Sequence, residues 1–191
     1  MQADDILSRP SCVLPQHHRE HYFEHGYTSV ENFVPTDVLQ HLIDVTNELV
    51  ASSRDKTVSG SIYDLGLAHC AQKPQLRRLK RPDDQHEAYW NFAKGLLADV
   101  AVDLLGPDVI FYHSKLNFKW SDGGEEVKWH QDIPFYPHTN YGVLAIGLYL
   151  EDVDDEMGPM GVIPGSYKGE IYNHYNDKDQ WVGALDEKDY D

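Results

Sequence analysis

The residues with the clearest chemical potential lie in the tetrapeptide Trp129-His130-Gln131-Asp132. Residues two apart on a strand project from the same face, so His130 and Asp132 would point together and Gln131 would point away. One imidazole and one carboxylate on a strand are two corners of a 2-His-1-carboxylate site, which holds Fe(II) and leaves positions open for O₂ and a co-substrate. The tetrapeptide therefore predicts a metal centre with His130 and Asp132 as ligands and catalytic residues.

A histidine two residues before an acid is weak evidence for a metal when it stands alone. The chain has 11 histidines and 32 acidic residues in 191 positions, and about two such pairs are expected by chance. Two occur, and the second pair, His18 with Glu20, falls in a helical pattern, where i and i+2 side chains do not face each other. The alternative for His130 is a buried histidine that is hydrogen-bonded to a neighbouring strand.

Helical patterns fill the first half of the chain. The predicted elements are helices over 17–25, 36–52 and 84–105, a brief strand over 27–30 and a mostly loop-like polar stretch over 53–84. Thr36 is the predicted N-cap of the second helix, because its side-chain oxygen could accept from a free backbone N–H. The pair Gly106-Pro107 is expected to end the third helix.

Strand-like patterns follow residue 107. Aromatic and β-branched residues predict short strands over 109–120, 127–133, 143–151 and 160–163. Helices followed by consecutive strands indicate an α+β chain whose second half is a β-sandwich or barrel. The candidate metal ligands would then lie on strands.

Length and composition exclude several classes of protein. A chain of 191 residues, 41% of them hydrophobic, suffices for one domain with its own core. The net charge of −16 repels phosphate backbones and anionic membranes, so neither nucleic acid nor membrane is an expected partner. The acidic and polar N-terminal residues predict no signal peptide. The two distant cysteines, Cys12 and Cys70, are typical of a reducing compartment, and a cytoplasmic location is predicted.

Two other clusters allow both a functional and a structural interpretation. His17, His21 and His25 are four residues apart and could clip a metal on one helix face, although a solvated helix face is the simpler interpretation. The aromatic residues after the tetrapeptide could line a substrate pocket or merely pack together. They are Phe135, Tyr136 and Tyr141.

The order of motifs along the chain is similar to that of a known enzyme family. The matching segments are Glu31-Asn32-Phe33-Val34, residues 106–120, the turn Asp122-Gly123-Gly124, His130-Gln131-Asp132 with its aromatic-proline segment, Met157-Gly158-Pro159 and residues 162–166. Together they extend over nearly the whole chain. The sequence resembles the phytanoyl-CoA dioxygenase family of Fe(II)/2-oxoglutarate-dependent oxygenases.

The resemblance implies a fold of mainly β character. It is a double-stranded β-helix, a cupin-like jelly roll, with flanking N-terminal helices. Residues 1–106 would form the helical part, and the jelly roll would begin near residue 107. We expect residues 1–191 to be a single oxygenase domain, incomplete at its C-terminus and without the last strands of the barrel.

The resemblance also assigns residues to the site. His130 and Asp132 match the first two iron ligands. His113, Lys115 and Asn117 match positions that line the 2-oxoglutarate pocket, and strand alternation would place all three on one face. The alternative for these three residues is the ordinary polar face of an outer strand.

The match is incomplete after Asp132. The family has a second histidine ligand on a later strand and an arginine that pairs with the 2-oxoglutarate carboxylate. Downstream histidines are His138 and His174, both poorly spaced for a ligand, and the last arginine is Arg81. Tyr167 stands where the family usually has the histidine of Pro-Gly-Ser-His.

The resemblance implies an enzyme with Fe(II) as cofactor and 2-oxoglutarate as co-substrate. It would hydroxylate an aliphatic C–H bond of a small organic substrate with O₂, while 2-oxoglutarate is decarboxylated to succinate. The alternative is a catalytically inactive cupin-like binding or scaffold protein. A partner chain could complete the site, and the sequence identifies neither the substrate nor the oligomeric state.

Overall fold

Helices dominate the first 105 residues in a computed structural model, which describes residues 1–121, 126–136 and 138–189. The helices are α1 Ala3–Leu7, α2 Gln16–His25, α3 Thr36–Ala51, α4 Pro82–Gln85, α5 Glu87–Phe92 and α6 Ala98–Leu105. A π-helical turn, Ala93–Leu97, joins α5 to α6. None of the helices in these ranges is long and apolar enough to cross a membrane.

Helix α3 forms where the sequence predicts the first long helix, and it ends at Ala51. Pro35 occupies the N-cap in place of the predicted Thr36, because the proline backbone is extended and Thr36 is already helical. Leu42 and Val45 are only 1% and 3% exposed, and they pack against the buried face of α5. The apolar stripe of α3 therefore builds the main hydrophobic cluster of the protein.

The second long helix, predicted over 84–105, is divided. His86 caps α5, since its Nδ1 accepts from the backbone N–H of Ala88 at 3.2 Å. Gly95 has φ −97° and ψ −107°, which interrupts the helix at the π-helical turn. Gly106, with φ +97°, ends α6 as predicted, because glycine reaches positive φ without steric cost.

A buried carboxylate ties the N-terminal segment to α6. Asp103 is 2% exposed and accepts from the backbone N–H groups of Cys12, Val13 and Leu14 at 2.6, 2.8 and 2.8 Å. Arg19 of α2, 1% exposed, donates from Nε to the backbone oxygen of Asp103 at 3.1 Å. Burying either charge without such partners would cost several kcal/mol, so these bonds fix the path of the N-terminal segment.

Three short strands form one antiparallel sheet in the order β1–β2–β3. The strands are β1 Tyr63–Leu65, β2 Leu76–Lys80 and β3 Lys115–Asn117. Leu79 is fully buried. Its neighbours Arg78 and Lys80 pair in register with Asn117 and Lys115, so these four polar side chains share the face of the sheet opposite Leu79.

One prediction about the first half is wrong, because residues 27–30 form no strand. The stretch 53–84 is mostly loop as predicted, but it also contains the unpredicted elements β1, β2 and the start of α4. The polar sequence of β2, Leu-Arg-Arg-Leu-Lys, does not indicate a strand, although β2 pairs with β1 on one side and with β3 on the other. A bulge beside Leu65 also breaks the alternation that a pattern search would recognise.

Within residues 126–136 and 138–189 the predicted strands 127–133, 143–151 and 160–163 are not formed. One isolated bridge, between Tyr175 and Trp181, is the only strand-like pairing described there. The strand predicted over 109–120 is limited to β3, and the turn Asp122-Gly123-Gly124 lies outside the described residues. The described chain is an α+β structure with a small antiparallel sheet, and the jelly roll is not confirmed.

Candidate active site

The structure brings His130 and Asp132 together, although not on a strand. His130 Nε2 lies 3.5 Å from Asp132 Oδ1. Asp132 has a helical backbone and begins a 3₁₀ turn, Ile133–Phe135, so the local turn produces the contact that strand alternation predicted. The side chains are 31% and 50% exposed, and the pair is therefore accessible to a ligand.

Hydrogen bonding fixes the ring of His130. Its Nδ1 lies 2.8 Å from the backbone oxygen of Lys128, and a carbonyl only accepts, so Nδ1 carries a proton. In the neutral ring, Nε2 then holds the lone pair that faces Asp132. Metal-binding histidines commonly donate their second N–H to a backbone carbonyl in this way.

The two side chains shift each other's pKa in opposite directions. Their hydrogen bond raises the pKa of His130 and lowers the pKa of Asp132. The charges of Lys115 and His113 lower the pKa of Asp132 further. A divalent cation bound by Nε2 and Oδ1 would compete with a proton for these two atoms.

Two of the three residues predicted to line a co-substrate pocket, His113 and Lys115, lie within electrostatic range of Asp132. Lys115 and Asn117 share the polar face of the sheet, and Lys115 acts electrostatically on Asp132. His113 Nε2 lies 3.3 Å from the hydroxyl of Tyr136, while its Nδ1 is buried without a hydrogen-bond partner. Burial lowers the pKa of His113, and the charge of Lys115 lowers it further.

Arg78 is a site residue that sequence reasoning missed. Its Nε donates to Asn117 Oδ1 at 3.1 Å across the β2–β3 pair. Burial raises the pKa of Tyr136, and the charge of Asp132 raises it too, whereas the charge of Arg78 opposes both. Arg78 therefore lies within electrostatic range of Tyr136, but its segment was predicted as loop, and no sequence signal pointed to this placement.

Among the described residues, neither His174 nor His138 belongs to a group of three possible metal ligands. His174 Nε2 accepts from the backbone N–H of Gln131 at 3.0 Å, and its Nδ1 donates to the backbone oxygen of Tyr172 at 3.0 Å. Both ring nitrogens of His174 are thus occupied by protein groups. His138 is exposed and donates from Nδ1 to the backbone oxygen of Tyr136 at 2.8 Å.

The members of the other two predicted clusters have different surroundings from one another. Phe135 contacts the ring of His130 edge to face, with centroids 5.6 Å apart, whereas Tyr141 is 79% exposed. On α2, His21 Nδ1 donates to the backbone oxygen of Tyr27 at 2.8 Å. Across all described residues, no group of three His, Cys, Asp or Glu side chains is placed to hold a metal ion.

Comparison with known proteins identifies the family. The family model for phytanoyl-CoA dioxygenase matches residues 22–190. The chain belongs to the phytanoyl-CoA dioxygenase family.

Three curated relatives illustrate the range of the phytanoyl-CoA dioxygenase family. A probable alpha-ketoglutarate-dependent hypophosphite dioxygenase from Stutzerimonas stutzeri is 28% identical over 86% of this chain and 61% of its own length. An ectoine dioxygenase from Sphingopyxis alaskensis is 30% identical over 75% of this chain and 46% of its own length. The rat peroxisomal phytanoyl-CoA dioxygenase is 24% identical over 94% of this chain and 56% of its own length. The chain therefore spans between 46% and 61% of the length of these relatives.

The described residues fit part of the iron site that the phytanoyl-CoA dioxygenase family implies. One imidazole nitrogen and one carboxylate oxygen, 3.5 Å apart, are the donor types that Fe(II) takes in facial-triad sites. The buried, unpartnered Nδ1 of His113 is available for a polar ligand atom. His130 and Asp132 would therefore hold the metal, with open positions for other ligands.

Proposed function

We propose that the chain forms the ligand pair and part of the co-substrate pocket of an Fe(II)/2-oxoglutarate-dependent dioxygenase. Its reaction would hydroxylate an aliphatic C–H bond of a small organic substrate with O₂. The observation that carries the proposal is the His130–Asp132 contact, in which Nδ1 is bound to a backbone carbonyl and Nε2 faces the carboxylate. Family membership supports the class of reaction.

Each residue near the pair has a distinct part in the proposed site. His130 and Asp132 would bind Fe(II), whose chemistry when bound is O₂ activation coupled to the decarboxylation of 2-oxoglutarate to succinate and CO₂. Lys115 and Arg78 would bind carboxylate groups of 2-oxoglutarate, because cations attract a dianion and an arginine can hold a carboxylate by two hydrogen bonds. Asn117 orients Arg78 through the 3.1 Å hydrogen bond.

The names of the relatives specify hypophosphite, ectoine and phytanoyl-CoA. These molecules differ widely in size and charge, so the relatives alone do not define the size of the substrate. The net charge of −16 disfavours a polyanionic substrate such as an acyl-CoA. We therefore propose a small organic molecule as substrate. The same charge argument disfavours nucleic-acid and membrane partners, and the two distant cysteines favour a cytoplasmic location.

The proposed activity is tested by succinate formation from 2-oxoglutarate. Wild-type protein with Fe(II), ascorbate and O₂ is expected to convert 2-oxoglutarate to succinate, even without its own substrate. His130→Ala is expected to lose this turnover and His17→Ala, at an exposed position, to keep it. Equal turnover by wild type and His130→Ala would contradict the proposal.

A second candidate is an inactive cupin-like binding protein. It is favoured by the finding that the described residues contain no third His, Cys, Asp or Glu ligand beside the pair. Such a protein would bind 2-oxoglutarate or another small anion without Fe(II)-dependent succinate formation. Calorimetric titration with 2-oxoglutarate, beside the turnover assay, separates the two functions.

The jelly roll also belongs to this proposal. Family membership supports a cupin-like barrel to which residues from about 107 contribute. Far-ultraviolet circular dichroism would test it, since a barrel requires far more strand than the three short strands described.

A further inference from the structure

Gln131, the residue between the two proposed ligands, is held at both ends of its side-chain amide. Its Nε2 donates to the backbone oxygen of Glu170 at 2.9 Å, and its Oε1 accepts from the backbone N–H of Tyr172 at 2.8 Å. A side-chain amide can thus take the place of a peptide group on a neighbouring strand. These two bonds join the tetrapeptide to a segment about 40 residues later, where no sheet ladder is described.

His174 makes a third bond to the same residue. The backbone N–H of Gln131 donates to His174 Nε2 at 3.0 Å, and His174 Nδ1 donates to the backbone oxygen of Tyr172 at 3.0 Å. His174 is 1% exposed, and among the described side chains after residue 125 it is the only buried one. Trp181 stacks on its ring, with centroids 5.6 Å apart and planes inclined by 15°.

The aromatic ring of Phe135 connects His174 to the proposed ligand pair, His130 and Asp132. The ring of Phe135 meets the ring of His174 edge to face at 5.9 Å and the ring of His130 at 5.6 Å. Phe135 ends the turn that Asp132 begins. The proposed ligands are therefore in contact with His174 through both the backbone of Gln131 and the ring of Phe135.

The segment 165–174, which contains His174, is hydrogen-bonded through its first residues to the C-terminal end of α2. The backbone N–H of Gly165, the hydroxyl of Tyr167 and Nζ of Lys168 donate to the carbonyls of His25, Phe23 and Glu24 at 2.7, 2.5 and 2.9 Å, respectively. The last carbonyls of a helix have no partner within the helix, and a lysine there also interacts favourably with the helix dipole. The segment 165–174 thus connects the helical half of the protein to Gln131.

We propose that Gln131 and His174 are positioning residues, which hold His130 and Asp132 in the geometry that binds the metal. The assignment rests on the proposed function for the identity of the metal. The ligand side chains are partly exposed and lie on no strand, so their relative position depends on Gln131 and on the turn after it. Loss of a residue that orients metal ligands typically lowers metal affinity about 10- to 100-fold.

The test uses Co(II) alone as a visible-absorbing probe. Gln131→Met removes the amide but keeps the length of the side chain, and it is expected to raise the Co(II) dissociation constant about 10- to 100-fold. The matched control is Gln40→Met on α3, an exposed glutamine that donates to Asp44 at 2.9 Å and is expected to bind Co(II) like wild type. Thermal unfolding of both variants shows whether lost affinity merely follows lost stability.

His174 provides a second pair of variants. In His174→Gln, an amide oxygen can take the place of Nε2 as acceptor, whereas His174→Phe keeps the ring and offers no acceptor. We expect the glutamine variant to bind Co(II) more tightly than the phenylalanine variant. Equal affinities of the two variants, or wild-type affinity in Gln131→Met, would overturn the assignment.

Failure of the proposed function can be distinguished from failure of the positioning role. If wild type and His130→Ala bind Co(II) equally, the proposed metal site is wrong. The positioning role is then decided on metal-free protein, where hydrogen exchange of the Tyr172 amide is expected to be at least about tenfold faster in Gln131→Met than in wild type. Equal exchange rates would overturn it.

Discussion

The two halves of the described chain are held together by different forces. In residues 1–121, most of the buried apolar side chains form two clusters around α3, α5 and α6. After residue 125, His174 is the only buried side chain described, and large apolar residues such as Leu148 and Val162 are 36% and 43% exposed. The helical half is therefore stabilised mainly by apolar burial, and the candidate site depends on a few polar bonds.

The second half is attached to the first at separate points. Leu150 packs against the cluster of α3 and α5, and Leu144 packs against the cluster that contains Val100 and Leu104. Tyr167 adds a polar contact to the end of α2. Substitutions of the same chemical kind should consequently have unequal effects in the two halves, and three predictions examine that difference.

The largest expected difference concerns two leucines. Leu42→Ala, at a position 1% exposed, is expected to lower the free energy of unfolding by about 3 kcal/mol, because it leaves a cavity between α3 and α5. Leu148→Ala, at a position 36% exposed, should cost less than about 1 kcal/mol. Urea denaturation followed by circular dichroism measures both values, and similar losses would contradict the contrast between the halves.

The second prediction concerns the hydrogen bonds between Asp103 of α6 and the N-terminal segment. Asp103→Asn is expected to cost about 2 kcal/mol, because an amide cannot accept from all three backbone N–H groups that the carboxylate satisfies. The free energy of global unfolding should fall by this amount, since these hydrogen bonds join the N-terminal segment to α6.

The same substitution should change the response to acid. Burial alone raises the pKa of Asp103, but hydrogen bonds from the N–H groups of Leu14, Cys12 and Val13 outweigh it, and the net shift is downward. The carboxylate therefore adds stability that is present above about pH 4, the unfolded-state pKa, and is lost as pH falls through the folded-state pKa. Asp103→Asn should flatten this acid limb, and an unchanged limb would contradict the assignment.

The smallest effect is expected at the connection between the halves. Tyr167→Phe removes the hydroxyl that donates to Phe23 at 2.5 Å, and it should cost about 1 kcal/mol. Tyr141→Phe, at a position 79% exposed, is the control. Faster amide exchange in segment 165–174, without faster exchange in α3, would show that the loss is local, and equal acceleration in both would contradict it.

The sequence predicted the helices better than the strands for a physical reason. The apolar stripe of α3 is a local property of one segment, so the helix over 36–52 could be read directly and was confirmed within one residue. A strand needs a partner for its backbone groups, and the run of apolar residues over 143–150 says nothing about whether a partner is present. In β2, by contrast, the strand has partners on both sides, but the polar residues Arg77 and Arg78 gave no sequence pattern that predicted it.

The candidate site was predictable only in part. The spacing of His130 and Asp132 correctly predicted that they would be neighbours, although a turn brings them together and not a strand. Arg78 could not be found, because its approach to Asn117 depends on pairing between β2 and β3. The bonds from Gln131 to residues 170–174 join positions about 40 residues apart, and no periodicity predicts such a contact.

Binding of Fe(II) and 2-oxoglutarate together, in the absence of O₂, tests the central claim most directly. The protein is titrated with 2-oxoglutarate in the presence of Fe(II), and the weak visible charge-transfer band of the chelated metal is followed. We expect a saturable band in wild type, a weaker 2-oxoglutarate affinity in Lys115→Met, and no band in His130→Ala. A folded wild-type protein without this band, or an undiminished band in His130→Ala, would contradict the account.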